Sequence, residues 1–112
     1  MQTVLGEFAE KVNGTRRMES LLKGWDRCIS VKSTDTGVSC HIQVKDRRLS
    51  LVRSGDDALE SVEVEGKEDL LKDVFRGIKN PAKESLDGNL SVFGSDKDQM
   101  KLDAIALVLW GF

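Results

Sequence analysis

Between Cys28 and Glu65 the hydrophobic period of this chain is two, and no other feature restricts its folding as tightly. The segments "CISVKS", "VSCHIQVK", "RLSLVRS" and "SVEVE" alternate so that Ile29, Val31, Val38, Cys40, Ile42, Val44, Leu49, Leu51, Val62 and Val64 share one side. Successive side chains of a strand point to opposite faces, so the pattern predicts an antiparallel meander with one buried face. A turn at "TDTG", centred between Asp35 and Thr36, sets Ile29 opposite Ile42 and Val31 opposite Cys40. A second turn at Asp46-Arg47 sets Val44 opposite Leu49 and Ile42 opposite Leu51. Both registers put apolar on apolar, and the two hairpins agree with each other.

On either side of the meander the period becomes helical. "TVLGEFAEKV" spaces Leu5, Phe8 and Val12 along one face with Ala9 beside them, and "MESLLKG" predicts one or two further turns ending at Gly24. "GKEDLLKDVFRGI" gathers Leu70, Leu71, Val74, Phe75 and Ile78 on one side, with acids in its first turn and Gly77 as its stop. "NPAKESL" suits a short helix capped by Asn80 with Pro81 at its first position. "DGNLSVFGS" supplies a fifth strand through Leu90 and Val92. In "SDKDQM" Ser95 followed by Asp98 resembles a capping box and opens the last helix. The order is α, β-meander, α, β, α. At 112 residues, 39% hydrophobic with one Pro and no internal repeat, residues 1–112 are expected to form a single domain.

Most chemistries are disfavoured. Seventeen basic against nineteen acidic residues give a net charge of −2, so no phosphate-binding surface and no nucleic-acid partner is expected. The N-terminal stretch carries Glu7 and Glu10 and does not read as a signal peptide. The longest apolar run, Ala104 to Trp110, is far shorter than the ~18 residues of a membrane span. A cytoplasmic, non-membrane-spanning protein is therefore expected. The register places Cys28 and Cys40 on opposite faces, which predicts free thiols. His41, the only histidine, has no nucleophile elbow to serve, and Cys40 points away from it. The acidic stretches "GDDALE", "VEVEGKED" and "SDKDQ" lack the ligand spacing of a calcium loop and are expected to be solvated. No catalytic residue, metal site or cofactor is expected, and the chain is read as a non-enzyme.

What remains is the apolar run itself, in a chain that is 32% charged. Leu102, Ile105, Leu109 and Phe112 make a core-facing stripe, and Met100, Ala104, Leu107, Val108 and Trp110 are left over beside it. Such a surplus calls for a hydrophobic ligand or for a protein partner.

Several residues resemble a known family. "EDLLKDVFRGIKNPAKESLDGNLSVFGSDKDQMKL" resembles the second half of sterol-carrier-protein-type lipid-binding domains: an acidic helix start at Glu68-Asp69-Leu70, then Gly77, Pro81, Gly88, Leu90, Val92, Gly94 and Met100-Lys101-Leu102. Gly24-Trp25 before the first strand is similar to the family as well, while Glu84 stands where it often has Ala. The resemblance implies an α+β fold, a five-stranded mainly antiparallel sheet with helices packed over one face, enclosing an apolar cavity. It implies an intracellular lipid-binding or transfer protein for a fatty acid, acyl-CoA or sterol-like ligand. The ligand is then expected between helix 67–76, the inner sheet face and the last helix, against Leu71, Val74, Phe75, Ile78, Val92, Met100, Ala104, Leu107, Val108 and Trp110. The competing expectation is a non-catalytic interaction module or homodimer that uses the apolar C-terminal helix.

Overall fold

A computed structural model describes residues 1–112. The helices are α1 (Gln2–Asn13), α2 (Met18–Leu22), α3 (Glu68–Phe75), α4 (Pro81–Leu86) and α5 (Asp96–Trp110). The strands are β1 (Arg27–Ser33), β2 (Ser39–Lys45), β3 (Arg48–Val52), β4 (Glu60–Gly66) and β5 (Leu90–Phe93). They form one sheet in the order β3-β2-β1-β4-β5. Only the β1–β4 pairing is parallel, so the sheet is mainly antiparallel and the architecture is α+β.

Both hairpins have the register that alternation requires: Ile29 pairs with Ile42, Val31 with Cys40, Val44 with Leu49 and Ile42 with Leu51. The inner face carries Ile29, Val31, Ile42, Val44 and Val62, all without solvent exposure, under α1 and α3, and α5 packs against α1, α2 and α4. Two of the ten alternating positions depart from the expectation. Val38 lies before β2 begins and is 40% exposed, and Leu51, on edge strand β3, is 40% exposed as well. Val38 lies outside the strands, and Leu51 has no further strand beside it although α1 reaches it at Gly6. Cys28 lies on the outer face as expected, yet it is buried, because the connection after β3 folds over it at Gly55. Both cysteines are free, and burial raises the Cys40 thiol above its ordinary value.

The tight β2–β3 turn is made by Asp46 (φ 52°) and Arg47 (φ 65°), both in the left-handed region, which matches the twist of the flanking strands. The Asp46 backbone N–H is held by the Asp26 carboxylate at 3.3 Å.

α5 starts as expected, with the Ser95 hydroxyl accepting from the Asp98 N–H at 3.1 Å. The other half of the expected capping box does not form. Asp98 turns inward, is 3% exposed, and accepts from Trp25 Nε1 at 2.8 Å and from Arg27 Nε at 3.0 Å. Burial opposes its ionisation, but the hydrogen bonds of Trp25 and Arg27, the Arg27 charge and the Ser95 contact together hold its carboxyl below the usual range. Of the acids in "SDKDQ", this one is a buried tie between the last helix and the entry to β1, not a solvated charge.

Candidate functional site

An open cavity of about 390 Å³ lies between α3, α4, α5 and the β4–β5 end of the sheet. Its walls are Val74 and Phe75 of α3, Pro81, Ala82, Ser85 and Leu86 of α4, Val64, Leu90 and Val92 of the sheet, and one side of α5. Phe8 of α1 closes it from below. Each wall has a local cause. α4 is started by Asn80, whose side chain accepts from the Ala82 N–H at 3.0 Å, and Pro81 supplies the preset φ of a first helical residue. The positive φ of Gly88 (82°) turns the chain from α4 into β5.

An aromatic cluster sets the depth of the cavity. Phe8 meets Phe75 edge-on with centroids 5.0 Å apart, and Trp110 lies 6.0 Å from Phe8. The Trp110 indole is seated on Gly77, where a Cβ would come within 2.5 Å of its ring atoms. Gly77 therefore does more than stop α3: its missing side chain is the seat for the last aromatic of α5.

The apolar surplus of α5 resolves into four directions, not two stripes. Ile105 is buried in the core and also borders the cavity. Gln99, Leu102, Asp103, Ala106 and Trp110, spaced by three, one, three and four, face the cavity. Lys101 donates to the Leu21 carbonyl at 2.6 Å and Arg17 reaches the Val108 carbonyl at 3.5 Å, so the Lys101–Val108 side faces α2. Met100 and Leu107, one heptad apart, are 70% and 53% exposed.

Of the ten residues expected against a ligand, Val74, Phe75, Val92 and Trp110 line this cavity. The other six do not. Leu71 is fully buried, because it points from α3 into the sheet core. Ile78 lies beyond the end of α3, where Gly77 (φ 78°) reverses the chain and leaves it 64% exposed. Met100 and Leu107 face solvent, and Ala104 and Val108 are half-buried outside the cavity lining. On the expected core stripe, Ile105 is buried, but Leu102 lines the cavity and Phe112 is 39% exposed. The contribution of α4 and of Phe8 was missed. Periodicity marks which side of a helix is apolar, but not which neighbouring segment leaves a gap. Glu84 is buried beneath α4 near Asn89 and does not line the cavity.

The polar members of the lining are Ser85, Gln99 and Asp103. Asp103 remains solvent-accessible as a residue, yet the apolar wall beside its carboxyl desolvates it and raises its affinity for a proton. On the opposite face of the sheet, Ser30 Oγ and His41 Nδ1 are 3.0 Å apart across the β1–β2 pair. Glu63 follows on the far side of Ser30, so serine, not histidine, is the middle member of this row, and no acid orients the imidazole.

Comparison with known proteins places the fold. No family model and no curated protein sequence matches the chain. Among solved structures it is similar to UbiJ-SCP2, a ubiquinone synthesis protein, with a TM-score of 0.69 and 14% identity over 94% of this chain and 93% of that one. It is similar to palmitated SCP2L2 from Aedes aegypti, with a TM-score of 0.58 and 13% identity over 95% and 93%. The alkylsulfatase Pisa1 from a Pseudomonas species matches with a TM-score of 0.61 and 16% identity over 84% of this chain, which spans only 14% of that enzyme. The fold is that of sterol carrier protein 2 domains.

Proposed function

We propose that this chain, acting as one unit in the cytoplasm, binds and transfers a fatty-acyl or sterol-like ligand in the cavity bounded by α3, α4 and α5, and catalyses no reaction. One observation carries the reading. The cavity is lined by sixteen residues of which only Ser85, Gln99 and Asp103 are polar, and Leu102, Ala106 and Trp110 of α5 form one of its walls. If a methylene takes about 30 Å³, the share of one water molecule in the liquid, 390 Å³ accommodates roughly a dozen. At about 0.8 kcal/mol per buried CH₂ they supply on the order of 10 kcal/mol before the costs of ordering the ligand, which suits micromolar binding. The palmitated relative of the same fold supports a ligand of this kind, and the free, buried cysteines suit a reducing compartment.

Two measurements test this. Mass spectrometry of an organic extract of gently purified protein should find a co-purified lipid. Leu102→Gln, which puts an amide in the cavity wall, should weaken a fluorescent acyl probe by about tenfold or more, whereas Leu107→Gln, at a 53% exposed position, should leave both probe binding and stability unchanged. A clean extract together with no probe binding at micromolar protein refutes the reading.

The exposed pair Met100 and Leu107 favours a second reading, in which α5 pairs with a protein partner or a second copy of the chain. Sedimentation distinguishes them: a tight dimer that disperses on Leu107→Ser and takes up no acyl probe supports pairing as the principal role.

A further inference from the structure

The polar groups of the cavity restrict the chemistry of a ligand's head. The lining contains no lysine, arginine or histidine, and its one charged residue is Asp103. Asp103 belongs to none of the ion pairs of the protein and accepts no hydrogen bond from another residue. Of the cations on the flanking helices, Lys72 pairs with Glu68 at 3.4 Å, Lys83 pairs with Asp87 at 2.8 Å and Lys101 is bound to the Leu21 carbonyl, while Lys97 of α5 lies outside the lining. Gln99 donates to the Gly94 carbonyl at 3.3 Å, which leaves its own carbonyl oxygen unused. The Ser85 hydroxyl has no partner within the protein and is free to donate or accept.

We propose that this cavity selects lipids with an uncharged, hydrogen-bonding head, such as a long-chain alcohol or a sterol hydroxyl, over free fatty carboxylates and acyl thioesters carrying phosphates. The inference rests on the lipid-carrier reading and deepens it. An alcohol donates to the Asp103 carboxylate or the Gln99 carbonyl and accepts from Ser85. A carboxylate in the same place has no cation to meet and lies beside a like charge, in a setting whose apolar walls strengthen the repulsion.

Calorimetric titration with dodecan-1-ol and dodecanoate, at mildly alkaline pH and below their aggregation limits, tests the proposal on the whole protein. The alcohol should bind about tenfold tighter or more. Since a neutral head favours any apolar site, the deciding comparison is within one ligand. Asp103→Asn should tighten dodecanoate at least about fivefold while dodecan-1-ol changes less than about twofold. Asp96→Asn removes the same charge from the same helix outside the cavity and should alter neither. If dodecanoate binds as tightly as the alcohol, or binds without responding to Asp103→Asn, head selection is refuted and the carrier reading stands. If neither ligand nor the uncharged dye Nile red binds, the carrier reading falls and this inference with it.

Discussion

The seat of Trp110 on Gly77 can be isolated by comparing two glycines with the same backbone and different surroundings. Gly77 has φ 78° and Gly88 has φ 82°, so alanine at either position meets the left-handed penalty, about 1–2 kcal/mol, offset by the ~0.4–1 kcal/mol gained from a less flexible unfolded chain. At Gly88 nothing lies within 4 Å of the new methyl group, and the net cost of Gly88→Ala should stay near 1 kcal/mol. At Gly77 the methyl group falls 2.5 Å from three ring atoms of Trp110, well inside contact distance. The indole cannot withdraw freely because Phe8 and Phe112 flank it with centroids 6.0 and 6.2 Å away. Overpacking of this kind adds about 1–3 kcal/mol, so Gly77→Ala should cost roughly 2–4 kcal/mol, and acyl-probe affinity should change with it because the indole is cavity wall. Urea unfolding followed by far-ultraviolet circular dichroism measures both variants. Repeating the pair in a Trp110→Leu background closes the cycle: with the ring gone, the two glycine substitutions should cost the same to within about 0.5 kcal/mol. Equal costs in the parent protein, or a gap that persists without the indole, would refute the reasoning.

The β2–β3 turn holds Arg47 at φ 65°, and Arg47→Gly should stabilise the protein by about 1 kcal/mol, read as a rise in the urea midpoint; a fall would mean that the arginine side chain contributes more than its backbone costs. Asp98→Asn leaves half-buried Arg27 with only the exposed Glu60 as counter-charge and should cost about 2–3 kcal/mol at neutral pH. The folded-state affinity of Asp98 for a proton is lowered, so its contribution is present above the ordinary carboxylate range and is lost as pH falls through the depressed value. The gap between parent and variant should therefore narrow in acid, and a gap that widens contradicts the assignment. Asp103 has the opposite sign. Its carboxyl is raised by desolvation, so the folded state prefers the proton and stability is lost as pH rises through the raised value. Asp103→Asn should melt above the parent at neutral pH and together with it in acid; a parent that melts higher at neutral pH would show that the carboxylate has a stabilising partner.

The inner face of the sheet was legible because its information is local and redundant: each hairpin register is stated twice, once by alternation and once by the turn. Helix caps at Asn80 and Ser95 were legible for a similar reason, since the capping residue and the amide it accepts from are two and three residues apart. Asp98 was not. Spacing from Ser95 offered a surface role, and the partners that bury it lie more than seventy residues earlier, at Trp25 and Arg27. The cavity was legible in part. Val74, Phe75, Val92 and Trp110 could be named because they are apolar and close to the segments that pack, whereas Leu71 and Leu107 differ from them only in azimuth about a helix whose neighbours the sequence does not specify. Ile78 failed on one dihedral angle, the turn at Gly77.

The four directions of α5 have a consequence for how this helix can change over evolutionary time. Single substitutions touch one direction at a time: Met100 or Leu107 can drift toward polar residues, and Leu102 can exchange with other apolar side chains, without disturbing the rest. Insertion or deletion is different, because each residue added or removed rotates everything beyond it by about 100°. A single deletion near Gln99 would swing the cavity side toward another neighbour, bring Lys101 out of reach of the Leu21 carbonyl and lift the indole from Gly77 together. The irregular connection between Val52 and Glu60 carries no such phase. Length variation among homologues is therefore expected there, and α5 should vary in letters while keeping its count.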